Sequence, residues 1–156
     1  MALALLLPCA DVDQADLQIL RAFYNGTLGT DHWKQGCDIG WSDPGNNNFC
    51  TWTGITCTDD QRNVKEIHIG ACDLTNQIPS TPQVPSIFGL KFLDTLFISP
   101  GPDQSLSGHI PDDFNTVKPV LKTIQLTGHH FSGEIPPSLY KSVSLQKIDF
   151  HSKALQ

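Results

Sequence analysis

Four stretches in the second half of the chain share one alternation of positions: VKEIHI (64–69), LDTLFI (93–98), LKTIQL (121–126) and LQKIDF (145–150). Ile67 and Ile69, Leu96 and Ile98, Ile124 and Leu126, and Ile148 and Phe150 sit two apart in them. This period of two predicts short strands with one buried face. The first apolar positions, Ile67, Leu96, Ile124 and Ile148, are spaced 29, 28 and 24 residues apart, which marks an internal repeat. An apolar residue (Leu74, Leu106, Phe131), then a small-residue turn with Gly108 or Gly133, then Ile-Pro at 78–79, 110–111 and 135–136 follow the first three strands. Proline has no N–H to leave unpaired where the chain turns away from the sheet. PDDFNTVKPVL (111–121) and PPSLYKSVSL (136–145) are predicted to return as short helical or 3-10 turns on a convex side. No such unit buries its apolar face alone, so the stack itself is the core of a solenoid of parallel strands.

Before residue 64 the period changes. Leu17, Leu20, Phe23 and Tyr24 recur at helical steps and predict one amphipathic helix over residues 11–25, with acids early and Asn25-Gly26 as the stop. A polar loop with Trp33, Trp41 and Trp52 joins it to the first strand. The first repeat of a solenoid exposes an edge that must be covered, and this helix and loop fit that role. Met1 to Leu7 is apolar and runs into Pro8, Cys9 and Ala10 with no preceding Lys or Arg, so it reads as a short or truncated signal peptide. No other stretch approaches the ~20 residues that a membrane span requires.

Charge separates the same two regions. Residues 1–60 hold eight acids and two bases, and residues 61–156 hold eight of each, so the formal charge of −6 belongs to the N-terminal part. A chain of 156 residues with this balance has no basic patch to neutralise phosphates, which excludes a nucleic-acid-binding surface. Five cysteines point to an oxidising compartment. Cys50 and Cys57 are seven apart and close a tight loop; loss of Cys9 with a signal leaves Cys37 and Cys72 as candidate mates. Paired zinc-type spacings are absent.

The segments CTWTGITC (50–57), LSGHIP (106–111) and FSGEIP (131–136) resemble the N-terminal cap and repeats of plant-type leucine-rich repeat proteins, whose repeats read L-x-x-L-x-L-x-x-N-x-L-S-G-x-I-P. AFYNGTLGTDHW (22–33) with Trp41 is similar to a cap variant of secreted repeat proteins from microbial eukaryotes and bacteria. The resemblance covers the chain from about residue 13. It implies an α/β solenoid, a right-handed superhelix with short parallel strands on the concave face and a helical, disulfide-stapled cap. The expected division is a signal over 1–10, the cap over 11–63 and repeats over 64–156, three full and a fourth incomplete. The chain stops just past the fourth predicted strand with no C-terminal cap in the pattern, so an incomplete gene product is expected. One departure stands out: the family's ladder Asn corresponds to Cys72, Gln104, His129 and Lys153, which predicts a less regular stack.

In this family the concave face and its edge are the usual binding surface. Three columns of outward residues cross the predicted strands: Lys65, Asp94, Lys122 and Gln146; Glu66, Thr95, Thr123 and Lys147; and His68, Phe97, Gln125 and Asp149. Phe97, a large aromatic where a polar residue would suffice, is the leading contact candidate, and the insertion at 100–104 lies at the rim. The competing reading of any column is a solvated sheet face with modest cross-strand pairing. Adjacent His129 and His130 point opposite ways in an extended segment and form no metal site. Catalytic motifs are absent, no cofactor is implied, and Asp112-Asp113 reads as helix-start acids rather than an acid–base pair. Asn25-Gly26-Thr27 is an N-glycosylation sequon, although Thr27 also belongs to the cap motif. The expected function is a non-enzymatic extracellular module, secreted or at the cell surface, that binds a protein, peptide or cell-wall glycan. Alternatives are an inhibitor of a secreted cell-wall-degrading enzyme, similar to the polygalacturonase inhibitors, and an ectodomain fragment of a receptor-like kinase. Ice binding would need regular Thr ranks, and Thr95 with Thr123 is the single one.

Overall fold

The computed structural model describes residues 11–114, 120–151 and 154–155. Residues 1–10, expected to be a signal peptide and including Cys9, residues 115–119 and the ladder position Lys153 lie outside the described residues. The helix α1 runs Gln14–Gly26, three residues later than the apolar period predicts, because Asp13 serves as its N-cap and accepts from the Asp16 N–H at 3.0 Å. Its buried face is Leu17, Ile19, Leu20, Phe23 and Tyr24. Thr27 closes it: the buried hydroxyl donates to the Phe23 carbonyl at 2.7 Å and accepts from the Trp33 indole at 3.1 Å. A one-turn helix α2 (Gly29–His32) follows.

One sheet has the order β1-β2-β4-β6-β8, built from β1 (Ile55–Cys57), β2 (Val64–Ile69), β4 (Thr95–Ile98), β6 (Thr123–Gln125) and β8 (Lys147–Asp149). From β2 onward it is parallel, and Ile67, Leu96, Ile124 and Ile148 pair in sequence, as the repeat alignment requires. The first three of these are fully buried, whereas Ile148, on the outer strand, is 46% exposed. The strand β1 is antiparallel to β2 and covers its edge, a strand the loop composition did not reveal.

A second parallel sheet, β3-β5-β7-β9, was expected only as turns. It consists of β3 (Asn76–Gln77), β5 (Leu106–His109), β7 (His130–Gly133) and β9 (Ala154–Leu155). Gly and Ser are poor strand formers by composition, so the small-residue run hid these strands. Gly108 and Gly133 are needed there at φ +76° and +88°, where an added Cβ would strike the side chains of Gln77 and His109 on the preceding repeat. The two sheets enclose Leu74, Leu106 and Phe131 together with Ile69, Ile98 and Leu126, all buried.

The described ladder positions, Cys72, Gln104 and His129, are tied into this stack. The His129 ring is buried, accepts the Leu106 N–H on Nδ1 at 2.9 Å, and meets the Ile98 carbonyl at Nε2 at 2.8 Å. It thereby satisfies two buried backbone groups of the preceding repeat. Cys72 is bonded to Cys37, and the backbone N–H of Gln104 donates to Asp73 at 3.3 Å. Asp73 also takes the Asp103 N–H and so anchors the 100–104 insertion to the repeat before it.

Both disulfides sit in or on the cap: Cys50–Cys57 within its loop, and Cys37–Cys72 between the cap and the first repeat. Arg21 is the other fastener. Its guanidinium donates to the carbonyls of Trp41, Asp43 and Asn46 at 2.8 to 2.9 Å and lies 4.5 Å over the Trp52 ring. Trp33, Trp41 and Trp52 pack in series, each pair of rings 5.1 Å apart. Asp16 joins helix to sheet by accepting from the Val64 N–H at 2.9 Å and the Asn63 amide at 3.2 Å.

The acids Asp112 and Asp113 bond across repeats; the turn they were expected to start continues into residues 115–119, outside the described residues. Asp113 accepts from Ser80 and from both the N–H and hydroxyl of Ser86, the cap of the preceding 3-10 turn at Ile87–Gly89. Asp112 accepts from the Ser138 N–H at 2.7 Å, at the start of the following 3-10 turn at Pro137–Lys141.

Candidate functional site

The register of the first sheet brings the predicted columns together. Glu66, Thr95, Thr123 and Lys147 pair across β2, β4, β6 and β8, as do His68, Phe97, Gln125 and Asp149. Backbone bonds from Asp94 to Lys65, Lys122 to Asp94, and Gln146 to Lys122 align the remaining column at the strand entrances. Each column thus crosses the sheet at the strand spacing of roughly 4.8 Å, a regular array on a rigid support.

Contacts within the columns differ in kind. The Lys122 ammonium meets Asp94 at 3.0 Å, and the Thr95 hydroxyl donates to the same carboxylate at 2.9 Å. Partial burial pushes the Asp94 pKa up, but the bonds from Lys122 and Thr95 and the charges of Lys122 and Lys65 outweigh it and hold the group below its ordinary value. At the other end Lys147 reaches the Gln125 side chain at 3.4 Å. The Asp149 carboxyl is held low by the Thr127 hydroxyl and the His151 N–H. In the middle lies Phe97, half-buried, its ring centroid 6.1 Å from that of His68, which is also 3.6 Å from Glu66. The face therefore presents one aromatic ledge beside the Asp94–Lys122 ion pair.

His129 and His130 diverge as expected, one buried and one exposed. Among the described residues no group of three His, Cys, Asp or Glu side chains stands close enough to share a metal. Asn25 is exposed on the last turn of α1, while Thr27 of the same sequon is buried and bonded to the cap. A cleft of about 500 Å3 lies away from the columns, between β3 and the convex turns. Its polar groups are engaged in holding neighbouring segments: Asp113 with Ser80, Asp112 with Ser138, and Asn76 with the Gly26 carbonyl. A smaller groove of about 410 Å3 borders the strand entrances and includes Phe92, Val120 and Ser144, which the three-column reading overlooked. Their signal was present: each stands four residues before a first strand apolar residue (Leu96, Ile124 and Ile148).

Comparison with known proteins gives these features a context. Solved structures with the same arrangement include the BIR2 ectodomain from Arabidopsis thaliana, with TM-score 0.70 and 24% identity over 94% of this chain and 70% of that one. The PEPR1–AtPEP1 structure matches with TM-score 0.73 and 24% identity, over 92% of this chain and 18% of that one. The fold is a leucine-rich repeat solenoid with a disulfide-stapled cap. In sequence, the chain is homologous to Receptor-like protein 50 of Arabidopsis thaliana, 33% identical over 104 residues, or 67% of this chain. The match spans 11% of that relative's length. No protein-family model matches the chain. Among the described residues of this leucine-rich repeat solenoid, no helix is long and apolar enough to cross a membrane.

Proposed function

We propose that this leucine-rich repeat chain is an extracellular, non-enzymatic recognition module that binds a protein or peptide partner across the open face of the first sheet. The observation that carries this reading is the registered column His68, Phe97, Gln125 and Asp149, with an aromatic ledge half-exposed at its centre. Aromatic side chains on rigid supports are the usual energetic anchors of interfaces, and flanking polar groups set orientation. The columns of Lys65, Asp94 and Lys122 and of Glu66, Thr95, Thr123 and Lys147 supply that polar frame. Two disulfides suit an oxidising, extracellular setting. Homology to a receptor-like protein and the shared fold of the PEPR1–AtPEP1 structure support binding of this kind. In this reading residues 11–63 are a cap, residues 64–156 form the recognition array, and Asn25 carries an N-glycan. A mass decrease on treatment with an N-glycosidase, absent from Asn25→Gln, checks the glycan.

The test is selection of random twelve-residue peptides displayed on phage against the whole chain. Selected peptides should bind Phe97→Ala about tenfold more weakly or worse, the scale of a truncated anchor. Tyr140→Ala, on an exposed convex turn, should bind as the parent does. The reverse pattern contradicts the proposal.

A further inference from the structure

The groove at the strand entrances is built by repetition. Phe92, Val120 and Ser144 occupy equivalent positions of successive repeats, two residues before Asp94, Lys122 and Gln146. Phe92 and Ser144 lie in the turns that lead into their strands, and Phe92, Val120 and Ser144 line one groove together with Asp94 and Lys122. With Thr58 and Lys65 these residues enclose the groove of about 410 Å3. Its lining is mainly apolar, supplied by half-buried Phe92 and by Val120, which is 36% exposed. The corresponding residue of the first repeat, Asn63, is polar and bonded to Asp16, and Ser144 donates to the Leu121 carbonyl at 2.8 Å. The apolar character is thus confined to the two middle repeats.

The rim carries unequal charge. Asp94 meets Lys122 at 3.0 Å and feels Lys65 as a nearby charge, so two ammonium groups share one carboxylate. At the cap end the hydroxyl of Thr58 donates to Asp60 at 2.6 Å, and Asp60 also takes the Arg62 N–H, so that acid is already occupied. In a chain whose formal charge is −6, the groove's own lining has a cationic surplus.

We propose that this groove is a subsite for an extended peptide segment with a large apolar side chain next to an Asp or Glu. The apolar side chain seats against Phe92 and Val120, and the carboxylate takes the place beside Lys65 that Asp94 leaves unfilled. This rests on the recognition role proposed above and adds a location and a ligand chemistry to it. The groove lies beside the Phe97 column, so one segment can touch both.

The same phage-displayed twelve-residue library provides the probe. Enriched sequences are expected to contain a large apolar residue adjacent to Asp or Glu. Their binding should fall about tenfold or more in Val120→Lys and about threefold or more in Lys65→Glu, and the Lys65 contribution should shrink in high salt, which screens exposed charges. Unchanged far-UV circular dichroism and melting temperature establish that both variants are folded. Enriched sequences without the apolar–acidic pair overturn the subsite, as does binding indifferent to both substitutions. Peptides that lose binding in Phe97→Ala but not in Val120→Lys overturn the subsite and leave the recognition role standing. Peptides indifferent to all three substitutions overturn both.

Discussion

The cap and the repeats reach a buried core by different means. In the repeats one contact recurs: Ile67, Leu96 and Ile124 stack in one row, with Leu74, Leu106 and Phe131 enclosed between the two sheets. In the cap every fastening occurs once. Arg21 holds three backbone carbonyls and a Trp52 face, Thr27 joins α1 to Trp33, and Cys37–Cys72 ties the assembly to the first repeat. A solenoid spreads its stability over neighbour interfaces, so one lesion is felt locally. A cap of singular contacts has no such redundancy. The acidic part of the chain even assigns one of its two bases, Arg21, to backbone carbonyls rather than to carboxylates.

Substitutions can break this contrast. The largest expected effect is loss of Cys37–Cys72, whose partners are 35 residues apart. Chain-entropy reasoning gives about 3–4 kcal/mol for a loop of that length. Urea unfolding of the Cys37→Ser/Cys72→Ser double variant measures it. Next is Arg21→Ala, which leaves carbonyls without their charged donor and removes the ring contact, for about 2–3 kcal/mol. Arg21→Lys should recover only part of this, since an ammonium cannot reproduce the planar fork. In the repeats, His129→Ala strands the Ile98 carbonyl and the Leu106 N–H at about 2 kcal/mol. Exchange of amides should rise around 98–106 and remain unchanged in α1. The smallest effect is Asp94→Asn, at most about 1 kcal/mol, because the Lys122 partner is half-exposed and screened.

Acid sharpens the same contrast because the two regions respond with opposite signs. Burial lowers the His129 pKa, and the neighbouring His130 charge adds to this against the favourable Ile98 bond. The neutral ring donates from Nε2 to Ile98 and accepts at Nδ1, so protonation would set a second donor against the Leu106 N–H. Its folded pKa lies below its unfolded one. The His129 contribution is therefore present above about pH 6.5 and is lost as pH falls through the folded pKa. Asp16 in the cap is shifted up, first by burial and then by Asp13, against the bonds from Val64 and Asn63 and the charge of Lys91. Its contribution is largest below about pH 3.9 and declines as pH rises through the folded pKa. In a urea titration between pH 7 and pH 5, His129→Asn should lose less stability than the parent chain. An equal loss would remove His129 as the cause.

The parallel first sheet and the Cys50–Cys57 staple were legible in the sequence because both follow from spacing, a period of two in one case and a gap of seven in the other. The second sheet was not, since Gly108 and Gly133 are selected for close approach between repeats rather than for strand propensity. The Arg21 clamp joins positions twenty or more residues apart, and no local pattern announces such a contact. Asp112 and Asp113 read as helix-start acids within one segment, and no local pattern announces that they also accept from Ser138 and Ser86 on neighbouring repeats. In the candidate site, the three columns were legible from alternation. The Phe92 and Val120 row was missed because it precedes the strands that defined the alternation.

The claim that recognition occurs on the open face of the first sheet is tested most directly by amide hydrogen exchange of the whole chain, with and without a saturating selected peptide. The account predicts slowed exchange in β2, β4 and β6 and at residues 92–94 and 120–122, with β3, β5, β7 and the cap helix unchanged. Protection confined to the second sheet or the convex turns, with the first sheet unaffected, would contradict it.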